Sequence, residues 1–188
     1  MAATIALPWS CRCGAVHGTL RVERGAGTPA ICHCESCVRA QRHFGVEATR
    51  AEGVALFQTT PDRFSIVEGT AHLGLGRLTP KGSYRWFTTC CNTQLGVSST
   101  TPKFAFFSPV QTIFADPSPL GRARTHAYVP QPGGPDKHIR LMPAIIALMA
   151  RSASALTSGR WRDTPFFDVE TGQPVVPPVV LPKDAGHA

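Results

Sequence analysis

Seven cysteines gathered into three tight groups constrain this chain more than any other feature: "CRCG" at 11–14, "CHCESC" at 32–37 and "CC" at 90–91. Sulfurs spaced this way are redox thiols, disulfide partners or metal ligands. The stretch "MAATIALPWS" has no basic region before its short apolar patch, so it does not read as a secretory signal. The longest near-apolar run, "LMPAIIALMA" at 141–150, is about half of a membrane span. A soluble, cytoplasmic chain is therefore expected, where disulfides are disfavoured, the more so with an odd cysteine count. A Cys34–Cys37 redox pair belongs at a helix start in a β–α–β unit, a context the sequence does not offer. Unliganded core cysteines leave the clustering unexplained, and metal is the reading that accounts for all seven.

Zinc takes thiolates in tetrahedral geometry, and structural sites draw them as close pairs from two loops. In an extended C-x-C, side chains two residues apart share a face. Cys11 and Cys13 then point one way and Arg12 the other, while Gly14 frees the backbone to turn beneath the metal. The same geometry joins Cys32 to Cys34 and turns His33 away, toward a backbone hydrogen bond. Cys37 returns to that side one turn later, which makes a three-thiolate cup. Seven divides as four plus three. Cys11, Cys13, Cys90 and Cys91 would close a structural site. Cys32, Cys34 and Cys37 would leave a position for water or substrate, as catalytic zinc does. Structural zinc without chemistry is the competing reading.

At 188 residues the chain suffices for one domain, 1–188, with a real core. Its 17 Gly and 17 Pro favour short strands joined by turns. Strands are expected over 15–23, 64–69, 83–89, 103–110 and 124–129, with a weaker, glycine-interrupted one within 68–83. A second element type begins near Asp136: a helix over 143–157, opening on Pro143 and stopping near Ser158–Gly159. Met142, Ile145, Ile146 and Met149 recur at helical spacing, a stripe expected to pack against the sheet. The four-proline tail "TGQPVVPPVVLPKDAGHA" should be extended, with an edge strand and a frayed end.

The formal charge of +7 is concentrated. Residues 121–162 hold seven basic side chains against one acid, Asp136, giving +6. A four-thiolate zinc counts −2 and a three-thiolate zinc −1, so two such sites bring +7 down to +4. Nucleic-acid binding would want aromatics interleaved with the basic residues, and here there are only Tyr128 and Trp161. An anionic small substrate or a solvated basic face fits the segment better.

In its motifs the chain resembles the glutathione-dependent formaldehyde-activating (GFA) family, which shares its zinc domain with centromere-protein-V-like (CENP-V-like) proteins. The carriers are "CRCGAV" (11–16), "CHCESCVR" (32–39) and "WFTTCCNTQL" (86–95), in the family's order and spacing. The match covers about 8–115; a C-terminal extension, 116–188, with the basic helix and "DTPFFDVETGQP", lies outside it and marks a divergent branch. The resemblance implies a mainly β, Mss4-like β-tent of short antiparallel strands. It implies a structural Zn2+ on the first and third motifs, matched by Cys11, Cys13 and Cys91, and a catalytic-type Zn2+ on Cys32, Cys34 and Cys37. Thr88 stands at the first cysteine position of the third motif and Asn92 replaces its glycine. Cys90 is the natural substitute ligand, provided the chain turns sharply at Asn92, a residue that tolerates αL. Failing that turn, Cys90 would complete the middle site and close it.

The activity implied is that of a carbon–sulfur lyase: addition of an aldehyde to a small thiol such as glutathione, or the reverse cleavage. Arg39, Arg42 and His43, just after the cup, are the candidate cations for an anionic tripeptide, against the reading of a solvated basic turn. A second function class is a non-catalytic, zinc-stabilised binding module that meets partners through 121–162. No membrane role is expected.

Overall fold

Burial alternates along the first hairpin, which places one face of each strand inward. The computed structural model describes residues 4–182; the frayed end expected of the tail lies outside them. Strand β1 (Ile5–Ser10) buries Leu7 and Trp9, and β2 (His17–Val22) buries Leu20 and Val22. They pair antiparallel through Leu7↔Leu20. Next come β3 (Thr28–Cys32), α1 (Glu35–His43), β4 (Val54–Gln58), β5 (Phe64–Glu68) and β6 (Leu73–Arg77). The chain continues through β7 (Tyr84–Thr88), β8 (Thr93–Ser98), β9 (Phe107–Pro109), β10 (Thr125–Gln131) and β11 (Gly134–Ile139). It closes with α2 (Leu141–Thr157) and β12 (Val179–Val180).

The strands form three sheets, ordered β1-β2-β5, β11-β10-β3-β4 and β12-β6-β7-β8-β9. Pairing is antiparallel except at β3–β10 and β6–β12. The fold is thus mainly β with a helix near the C-terminus. Single bridges, Leu56↔Val110 and Thr59↔Phe107, tie the second sheet to the third. Inside lies an aromatic stack: Trp9 on Phe64 at 4.5 Å, Phe107 on Phe166 at 4.5 Å, and Trp86 on Phe166 at 4.7 Å. The C-terminal segment is therefore woven into the core. It supplies Phe166 to the stack, β10 beside β3, and the tail's β12 as the edge strand beside β6.

Four expectations need correction. Residues 134–139 are a strand, so the helix starts at Leu141, with Arg140 making the exit turn at φ 52°. Pro143 is its third residue, still in the first turn, where a missing N–H is harmless. The Met142–Ile145–Ile146–Met149 stripe does not pack on the sheet: Met142 is 63% exposed and Ile146 64%. The helix instead buries Ala144, Ser152 and Ala155, small residues that let it lie close against β3 and β10. Of the strand expected at 103–110, only β9 forms, because the Ser99 hydroxyl donates to the Thr101 and Phe104 carbonyls and holds the chain in a turn.

Phe166 is fully buried among Trp86, Phe107 and Phe64. Phe166→Ala should cost about 3–5 kcal/mol in urea unfolding; a cost below about 1 kcal/mol would show that the extension is not part of the core.

Candidate metal centres

Two hairpin tips from different sheets meet at the first cysteine group. The β1–β2 turn carries Cys11 and Cys13, and the β7–β8 turn carries Cys90 and Cys91. The Gly14 amide donates to the Cys11 carbonyl at 3.0 Å, and Gly14 turns at φ 79°. Asn92 sits at φ 54°, in the αL region, so that Cys90 and Cys91 turn toward the same side although they are adjacent. The sulfurs of Cys11 and Cys13 lie 3.5 Å apart, Cys13 and Cys90 3.5 Å, Cys11 and Cys90 3.9 Å, and Cys90 and Cys91 3.9 Å. A tetrahedron with Zn–S bonds of about 2.3 Å has edges near 3.8 Å, which these separations match.

Supports around this group come from residues the motifs did not single out. Arg12, facing away from the sulfurs, donates through Nη2 to the Cys91 carbonyl at 2.6 Å and the Asn92 carbonyl at 3.2 Å. It clamps one hairpin tip to the other. Thr88 is fully buried and does not extend the ligand set directly; its hydroxyl lies 3.4 Å from Cys91 Sγ, and that of Thr93 lies 3.1 Å away. Against burial, which raises it, the hydrogen bonds from Thr88 and Thr93 hold the Cys91 thiol down to about 5.

The second group forms where β3 ends and α1 begins. Cys32 is the last residue of β3, Cys34 is the N-cap of α1, and the Cys37 amide donates to Cys34 Sγ at 3.4 Å. Cys34–Cys37 does occupy a helix start, contrary to expectation. The helix leads to β4, which is antiparallel to β3, so a β–α–β crossover is still missing. All seven cysteines are free thiols.

Hydrogen bonds from Cys32 and Cys37 hold the Cys34 thiol down to about 2. Donating to Cys34 pushes Cys32 up to about 11, and bonds to Cys32 and Cys34 push Cys37 far up. A metal that takes all three sulfurs as thiolates must displace the protons that Cys32 and Cys37 are pushed to keep. Acid therefore competes with the metal.

A further cation lies beside the cup. Arg85 on β7 is only 5% exposed, and its Nη2 donates to Ser36 Oγ at 2.7 Å. Its Nε and Nη1 are buried without a partner among the described residues, and no carboxylate pairs with it. A buried guanidinium is costly unless an anion balances it. Beside the stronger hydrogen bonds among the sulfurs, its charge adds to the lowering of Cys34 and opposes the rise of Cys37, so the cup sulfurs are the anion at hand to balance it. Three thiolates around a divalent ion carry −1, the charge Arg85 offsets. Both donor sets therefore fit a thiophilic divalent metal. The sequence signal for Arg85 was a lone charge at a buried position between Tyr84 and Trp86.

The remaining expected site residues are placed as follows. His33 is buried away from the sulfurs; its Nδ1 donates to the Arg50 carbonyl at 2.7 Å, so its Nε2 accepts from His126 Nδ1 at 3.2 Å. Arg39 donates to the Leu78 carbonyl and Arg42 to the Ala48 carbonyl. His43 packs edge-on against Phe44 at 5.0 Å, and burial pushes its pKa down. Rather than a turn, these three lie on α1, which docks on β8 through Gln41 Nε2 to Gln94 Oε1 at 2.7 Å.

Fold and site define a small, mainly β protein with two cysteine groups that can each hold a metal ion. The chain belongs to the family of unknown function DUF6151, whose model matches residues 3–177. No curated protein matches it. A crystal structure of a Rhodobacter sphaeroides protein aligns at 19% identity and a TM-score of 0.44, covering 62% of this chain and 97% of that one. Among the described residues no helix is long and apolar enough to cross a membrane.

If Arg85 balances the cup, Arg85→Met should weaken metal retention there roughly 10–100-fold, as loss of outer-sphere partners does. Chelator competition should show one ion lost more readily and the other unaffected. Equal retention in both proteins would remove Arg85 from the site.

Proposed function

We propose that this protein is a zinc enzyme of the carbon–sulfur lyase type, which adds a small thiol such as glutathione to an aldehyde and reverses that addition. The observation that carries the reading is the four-plus-three partition of the sulfurs. Cys90 lies with Cys11 and Cys13, so the cup group contains Cys32, Cys34 and Cys37 and no fourth Cys, His, Asp or Glu among the described residues. The motif resemblance over 8–115 to the glutathione-dependent formaldehyde-activating family supports the same substrate class. Zinc bound to three thiolates supplies a free position at which a thiol's pKa falls or a carbonyl is polarised.

The chain's own residues hold and tune that position. Cys34 caps α1, so its sulfur faces the amide of Cys37 and the positive end of the helix. Arg85 adds its charge to the hydrogen bonds that lower Cys34, and its bond to Ser36 ties the start of α1 to β7. In the addition, a sulfur–carbon bond forms, the carbonyl π pair moves to oxygen, and the thiol proton ends on that oxygen. No oxidant or reductant enters. His33, bonded to Arg50 and His126, takes no part in the proton transfer.

A second reading is a non-catalytic zinc-stabilised module. The observation that favours it is that Arg39 and Arg42, the expected anchors for an anionic tripeptide, are engaged by backbone carbonyls. Formaldehyde consumption in the presence of glutathione separates the two. The enzyme reading expects wild type to accelerate it and Cys34→Ser to abolish the acceleration while retaining one zinc per chain. Consumption by wild type at the rate of buffer, with two zincs bound, would contradict the lyase reading for this substrate and leave the module.

A further inference from the structure

Helix α2 is flanked by two basic pockets of unlike chemistry. In the one of about 290 Å3 beside Ala150 and Ser154, the arginines have structural partners. Arg63 pairs with Glu23 at 2.8 Å, Arg160 with the buried Asp62 at 3.1 Å, and Arg151 donates to Thr28 Oγ1 at 3.1 Å. In the other, of about 210 Å3, Arg122, Arg124 and Arg140 line one cavity. Among the described residues none of these three has a hydrogen-bond or ion-pair partner, and no carboxylate lines the pocket. Thr125 lines it too: it is only 6% exposed, and its hydroxyl has no partner among the described residues.

Three guanidiniums around one cavity repel one another, and nothing in the fold requires them to face it. In the first pocket Arg63 and Arg160 are paired with carboxylates, and Arg151 has the Thr28 hydroxyl while its Nε is left without a partner. The exposed, unpaired trio around one cavity, beside a threonine hydroxyl left free, offers an anion converging donors. We propose that this pocket binds the phosphoryl group of a small molecule. Each guanidinium offers a planar fork of donors, and a phosphoryl group has three terminal oxygens to receive such forks, whereas a carboxylate is satisfied by one. A nucleic-acid strand would want stacking aromatics among the cations, and none lines the pocket. The site stands apart from the metal centres. Thr28 lines it, while Cys32 of the cup is four residues further along β3, about 13 Å away at strand spacing.

Calorimetric titration of the full chain with inorganic phosphate at low ionic strength tests the proposal. Binding should be saturable at one site per chain. Because Arg124 and Arg140 have no partners in the protein, Arg124→Gln and Arg140→Gln should fold normally and weaken binding by about tenfold or more each. Arg162→Gln, an equal charge change outside the pocket, should leave affinity within about twofold, since diffuse attraction is weak and screened. Absence of saturable binding, or an equal loss in Arg162→Gln, would overturn the proposal. A soluble phosphate ester and a lipid headgroup offer the same chemistry, and vesicles of phosphatidylcholine with phosphatidic acid distinguish them. Co-sedimentation that needs Arg124 and is competed by free phosphate assigns the phosphoryl group to a lipid; phosphate binding without co-sedimentation assigns it to a soluble molecule.

Discussion

Sulfurs from residues 11, 13, 90 and 91 meet although nearly eighty residues separate the two pairs. Each pair rides on the tip of a hairpin, and the hairpins belong to different sheets, so the closed site joins the first sheet to the third. Holding such distant segments together has a loop-closure cost that grows only slowly with length. A metal that binds the folded arrangement and not the open chain supplies stability directly. Arg12 shows that the meeting is built and not incidental. Projecting from the middle of one C-x-C, it grips the carbonyls of Cys91 and Asn92 on the other tip, so the backbone is registered before any ion is considered.

The cup joins the second sheet to the third by another route. Its sulfurs come from the end of β3 and the first turn of α1, while its balancing charge comes from β7 through Arg85. This division matters for chemistry. Zinc with four thiolates is saturated and negatively charged; zinc with three retains a place for one more ligand. The residue that decides between a closed and an open cup is Cys90, which stands beside the third motif's matched Cys91 and not at a position the resemblance assigns. Its side is set by the αL turn at Asn92, so one backbone dihedral in the β7–β8 hairpin governs how the seven sulfurs are shared.

Much of the fold was legible in the sequence. Alternation located β2, β-branched and aromatic runs bounded by turn residues located β5, β7 and β10, and the helical spacing after Pro143 located α2. The pairing geometry of C-x-C brought the right sulfurs together, and Asn92 was recognisable as the turn residue. What was illegible has physical causes. Helix α1 is nine residues long and begins inside the cysteine cluster, where ligand spacing hides helical periodicity. Strands β1, β3, β4, β8 and β11 were missed; β8 is buried throughout and β11 exposed throughout, so neither of these two alternates. The α2 stripe misled because amphipathicity names two faces and not which one meets the sheet. Here the small residues do, and the large apolar side chains remain outside. The approach of Arg85 to the cup and the Arg122–Arg124–Arg140 pocket are long-range coincidences that local spacing does not encode.

Zinc-edge X-ray absorption on the purified chain tests the central claim most directly, because it counts sulfur neighbours whatever the reaction is. One saturated and one open site predict an average of about 3.5 sulfurs per zinc at about 2.3 Å, with a short oxygen or nitrogen contribution. A spectrum with light-atom ligands alone, or no bound metal in protein folded in the presence of zinc, would contradict it.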